Sequence, residues 1–147
     1  MNIIAADEDE KDAAFNALVF DSNAAYGRVL ISLDTVANYK KTMEDYADDE
    51  EEAEEMKFSA AEFDYINHGE ITLLEFSDMN ASFSDINEGI EIFMDMVCEA
   101  LLDLMDTQAY KNLPKADDFE ALCMDHDAGA EGARKRLKRV REAYKPQ

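Results

Sequence analysis

The sequence predicts an α+β fold: a helix-dominated single domain over residues 1–147 with a small antiparallel sheet. Three observations lead there. Between Ser84 and Met105 apolar residues recur at helical spacing, with acids between them. Tyr26 to Leu33 is instead a short apolar stretch rich in β-prone residues, beside a glycine. Only five Gly and two Pro occur in 147 residues and no internal repeat is present, which leaves little chain for linkers. Eight Phe, six Tyr and eight Met supply large side chains for a core.

Along the chain, Lys11 to Phe20 reads as a short helix with Phe15, Leu18 and Val19 on one side. Tyr26 to Leu33 reads as a strand. Asp34 or Thr35 then caps a helix whose Val36, Tyr39, Met43 and Tyr46 share a face, continuing through an acidic run to about Phe58. Phe63 to Phe76 reads as a hairpin turning at Asn67-His68-Gly69. Ser84 or Asp85 caps the clearest helix, which reaches about Met105. Pro114 marks a break, followed by a short helix near Asp117 to Met124. A basic helix from about Ala133 to Tyr144 closes the chain after Gly129 and Gly132.

Charge is the most informative property. The formal net charge is −21, and like charge at that density destabilises a compact state by self-repulsion. Residues 134–147 hold seven Lys or Arg against Glu142, a net of +6, which leaves −27 on the rest. In the clearest helix, Glu88, Glu91, Asp95, Glu99, Asp103 and Asp106 fall on one stripe, opposite Ile86, Ile90, Phe93, Val97, Leu101 and Leu104. Acids three or four apart are separated by roughly 5 to 6 Å along the axis, against about 3.4 Å per phosphate of one DNA strand. Such a row can stand in for alternate phosphates. A second cluster comprises Glu44, Asp45, Asp48, Asp49, Glu50, Glu51, Glu52, Glu54 and Glu55, where like charges at i,i+4 weaken a helix. Charge runs also serve simply as solvated helix faces. Two clusters together, with −27 outside the tail, tilt the reading toward recognition. Ile92, Met96 and Leu102 flank the stripe and are either exposed anchors or packed against a neighbouring element.

Other constellations carry less. Asp64-Tyr-Ile-Asn-His-Gly69-Glu-Ile71-Thr72-Leu-Leu-Glu75 resembles the EF-hand calcium loop, with an acid first, Gly sixth and Glu twelfth. Ile66 and His68 stand where that family places oxygen ligands, so tight calcium binding is not expected. His126, between Asp125 and Asp127, has no companion ligand pattern. Cys98 and Cys123 lack a CxxC or His partner and read as reduced, packed thiols. No GxSxG, P-loop, HExxH or dinucleotide glycine motif is present, and among 35 acids no catalytic pair stands out. No enzyme activity, cofactor or metal is expected.

Met1 to Glu8 carries neither the basic start nor the apolar stretch of a signal peptide, and no run approaches a membrane span; a cytoplasmic location is expected. The composition is like that of DNA mimics carried by phage, anti-CRISPR proteins and toxin-immunity proteins. The functional expectation is an acidic, non-catalytic inhibitor whose two clusters bind the nucleic-acid-binding surface of a basic protein, such as an effector or nuclease. Direct contact with nucleic acid is not expected, since −27 would repel phosphate; the basic helix more simply docks its apolar stripe and neutralises neighbouring acids. A homo-oligomer is compatible with the sequence. The alternatives are a degenerate EF-hand-like or scaffold-type interaction module, and adaptation to high salt, which nine Lys and eight Met disfavour.

Overall fold

In the computed structural model the described residues are 14–24, 27–63, 65–72, 86–125 and 129–144. They form four strands and five α-helices: β1 (Phe15–Asn23), β2 (Arg28–Thr35), α1 (Val36–Asp45), α2 (Glu50–Met56), β3 (Tyr65–Thr72), α3 (Ile86–Met105), α4 (Gln108–Lys111), β4 (Lys115–Asp125) and α5 (Ala130–Ala143). A 3₁₀ turn at Ala60–Glu62 joins α2 to β3. The expected α+β class is what the chain adopts.

The sheet runs in the order β3-β2-β1-β4. β3 to β2 and β2 to β1 are antiparallel, while β4 joins the far side of β1 in parallel, so the expected antiparallel sheet is mixed. Lys11 to Phe20 was expected to be helical, yet residues 15–20 begin β1 and residues 11–13 lie outside the described residues. The reason is burial. Asn16 to Phe20 are buried in succession, and neighbouring strand residues point to opposite faces, so both faces are covered at β1 and no polar alternation marks it as a strand. Asp117 to Met124, likewise expected to be helical, lies in β4, where Ala121, Leu122 and Cys123 are buried in a row. At this edge of the sheet Asp117 and Asp118 are exposed, a charge pattern that blunts pairing with another chain.

Gly27 turns the chain from β1 into β2 at φ 61°, a left-handed conformation that lacks a steric cost only without a Cβ. Thr35 caps α1 as the sequence indicates, its hydroxyl accepting from Asn38 N at 3.1 Å. The Asn38 amide donates to Asp34 Oδ1 at 2.7 Å and to the Glu62 carbonyl at 2.6 Å, fastening α1 to the 3₁₀ turn. The helix expected to run to Phe58 breaks after Asp45. Glu44 and Asp45 sit in its last turn with no base, where the helix dipole is unfavourable to acids, and Asp49 restarts the chain as α2 by accepting from Glu52 N at 3.1 Å. In place of a hairpin at 63–76, Tyr65–Thr72 is a single strand in which Gly69 pairs with Ile31 and the register shifts before Tyr65 pairs with Leu33; Asp64 and residues 73–76 lie outside the described residues. Of the segment resembling a calcium loop, the described residues 65–72 are therefore strand rather than a loop that wraps oxygens around an ion.

α3 packs over β1 and β4, and α5 lies beside it over β4. Phe93, Met94, Val97, Cys98 and Leu101 face the core, as the helical spacing indicates. Cys98 and Cys123 are free, buried and hydrogen-bonded to each other; accepting that bond lowers the Cys98 pKa, while donating it and burial raise that of Cys123. The Asn16 side-chain amide, at a register shift in β1, has no hydrogen-bond partner among the described residues. No helix among the described residues is long and apolar enough to cross a membrane.

Candidate docking surface

The acidic stripe divides along α3. Glu88 and Glu99 are exposed on the helix, as is Asp106 just beyond it. Glu91, Asp95 and Asp103 are engaged by the basic end of the chain. Arg136 donates to Glu91 Oε1 at 2.7 Å. Arg139 forks onto Asp95 with bonds of 2.6 and 3.0 Å, and Arg136 Nε lies 3.8 Å from the same carboxylate. The Tyr144 hydroxyl donates to Asp103. This bond, followed by desolvation and nearby acids, pushes the Tyr144 pKa up to about 12.

The local reason is the amphipathicity of α5. Ala133, Leu137 and Val140 recur at helical spacing and are buried, which presses that face onto the domain and leaves Arg136 and Arg139 beside α3. Arg136 retains 15% side-chain exposure, against 58% for Arg139, so it is the more firmly committed of the two. Docking and neutralisation, the simpler role expected for the basic helix, is what α5 performs.

The second cluster is different. Glu44, Asp45, Asp48, Asp49, Glu50, Glu51, Glu52, Glu54 and Glu55 are all exposed. Asp49 and the first-turn acids Glu50, Glu51 and Glu52 suit the positive end of α2, so part of the cluster serves local structure. Glu44 and Asp45 have no such justification, because they occupy the negative end of α1. Ala53 and Phe58 are buried and hold the segment on the core. Lys57 reaches the Asp118 carbonyl at 3.1 Å, which ties α2 to β4.

Between this segment and the start of α5 lies an open cleft of about 1110 Å³. Glu51, Glu54 and Glu55 meet Asp21, Asp125 and Glu131 there. Its two bases are committed elsewhere: Arg134 forks onto Glu120 with two bonds of 2.8 Å, and Lys57 lies 3.8 Å from an Asp118 oxygen. The Glu120 carboxylate raises the Arg134 pKa further. Sequence reasoning missed Asp21, Asp125 and Glu131. Asp21 and Asp125 come together because β1 and β4 run parallel in adjacent register, with Ser22 opposite Asp125. No local pattern carries that information; recognising β4 as a parallel partner of β1 would have exposed it.

The surface is suited to binding cations held on another molecule. It offers many carboxylates, mostly on helices, with Asp21, Glu51, Glu54, Glu55, Asp125 and Glu131 lining a concavity. Among the described residues no three His, Cys, Asp or Glu side chains group closely enough to hold a metal. A scan against protein-family models, a search of curated proteins and a search of solved structures found no match to this chain.

Proposed function

We propose that this protein is an acidic, non-catalytic inhibitor that occupies the positively charged nucleic-acid-binding surface of a partner protein by imitating phosphate, in the manner of an anti-CRISPR, anti-restriction or nuclease-immunity protein. The carrying observation is that all nine carboxylates from Glu44 to Glu55 are exposed although Glu44 and Asp45 occupy the helix end that disfavours them. Acids kept against the preference of the fold are accounted for if they work in a complex. The cleft beside them extends the same charge into a concave surface. A charge of −21 steers a basic partner inward and repels nucleic acid, so the inhibitor competes for the groove without being titrated by DNA. The outer face of α3, with Glu88, Glu99 and Asp106, forms the second contact region. Action in the cytoplasm, where such effectors meet their substrates, belongs to the same reading.

Affinity capture on the immobilised full-length protein, followed by elution with duplex DNA, tests this. The captured proteins are expected to be basic nucleic-acid binders, released by DNA at a salt concentration where buffer alone does not release them. Retention in the presence of excess DNA, or equal capture by a Glu51→Gln, Glu54→Gln, Glu55→Gln variant, would overturn the proposal.

A further inference from the structure

Ile92 and Met96 are the exposed large hydrophobic residues among those described, at 38% and 44%. They are one turn apart on α3, and at 100° per residue they share an arc of roughly 80° with Glu88 and Glu99. The order along this outer face is Glu88, Ile92, Met96, Glu99: an apolar pair with a carboxylate at each end, over about 16 Å of helix. No Lys or Arg occurs anywhere on α3.

The neighbouring flank of the same helix shows what such a face accepts. There Glu91 and Asp95 receive Arg136 and Arg139 of α5, while Leu137 and Val140 are buried. α5 is thus a basic amphipathic helix seated beside an acidic one. The outer face repeats the chemistry, apolar side chains beside carboxylates, and remains exposed. Apolar anchors within a charged surround supply the affinity that exposed ion pairs alone lack.

We infer that the outer face of α3 is a docking site for a basic amphipathic helix of the partner protein, which seats an apolar side chain on Ile92 and Met96 and directs Arg or Lys to Glu88 and Glu99. This rests on the proposed function and names the element of the partner that is bound. Charge complementarity selects the occupant. A second copy would bring another −21 to the contact, and duplex DNA would bring phosphate.

The test uses the full-length protein and a fluorescent, lactam-stapled peptide with the sequence of residues 130–144, beside a scrambled peptide of identical composition. Anisotropy titration compares wild type with an Ile92→Ser, Met96→Ser variant and a Glu88→Gln, Glu99→Gln variant, with thermal unfolding confirming that each folds. The stapled helix is expected to bind about ten-fold more tightly than the scrambled peptide, an advantage of roughly 1.4 kcal/mol that the serine variant removes. The glutamine variant is expected to weaken both peptides. Equal binding of the two peptides, or an unchanged affinity in the serine variant, would overturn helix docking; if the glutamine variant still weakened both, the broader electrostatic reading would stand. Failure of the glutamine variant to weaken either peptide would count against the carboxylates and therefore against both. Sedimentation of the wild type as a dimer that the serine variant dissociates would assign the face to a second copy and overturn the partner helix.

Discussion

At the scale of single residues, the contrast between Phe93 and Tyr144 separates what builds the fold from what fastens its surface. Phe93 is completely buried on the core side of α3, and Phe93→Ala is expected to cost about 3 to 5 kcal/mol, read by chemical denaturation. Tyr144 packs partly against the core and adds a polar contact with Asp103 that exists only while the phenol is protonated. Its folded pKa of about 12 lies above the ordinary value of 10, so the contact contributes fully below about pH 10 and is lost as pH rises through 12. Absorbance titration of tyrosinate should show a late component that Tyr144→Phe removes. A Tyr144 titrating at the ordinary value would mean the hydroxyl is free in solution.

At the scale of elements, helices were legible where one face was solvated, and strands were hidden where both faces were buried. α3 and α5 follow their apolar spacing, and Thr35 marks the start of α1 because its hydroxyl performs the cap. β1 and β4 resembled helix segments because short apolar runs without polar alternation carry no period. Gly69 resembled a turn, yet it pairs in mid-strand with Ile31, a long-range contact invisible to local chemistry. The acidic stripe was legible as a stripe, but its pairing with α5 depends on how two helices far apart in sequence lie on β4. Neutralising Glu91 and Asp95 therefore differs from neutralising a solvated face: Glu91→Gln with Asp95→Asn leaves Arg136 and Arg139 without their carboxylates. That pair of changes is expected to cost about 1 kcal/mol and to speed amide exchange in α5 more than in α3. Unchanged exchange in α5 would show that its apolar face alone holds it. Glu88→Gln with Glu99→Gln is the matched change on exposed positions and should leave stability within about 0.5 kcal/mol.

For the whole molecule, the distribution of charge matters more than its total. Arg134, Arg136 and Arg139 of α5 pair with Glu120, Glu91 and Asp95, so part of the +6 of residues 134–147 is neutralised by the protein's own acids and the remaining carboxylates dominate other faces. The cleft acids Asp21 and Asp125 join Glu51, Glu54 and Glu55 because β4, a parallel edge strand, ends beside the end of β1. That grouping could not be read from the sequence, whereas the acidity of residues 44–55 could. The reading as a phosphate mimic depends on these exposed acids acting at a distance, through steering, as well as in contact. Its most direct test is the association rate of the captured basic partner at about 50 and 200 mM salt, for wild type and for the Glu51→Gln, Glu54→Gln, Glu55→Gln variant. The wild-type rate is expected to fall steeply with salt, and the variant to associate more slowly at low salt with a shallower dependence and unchanged thermal unfolding. Equal rates and equal salt dependence in the two proteins would contradict it.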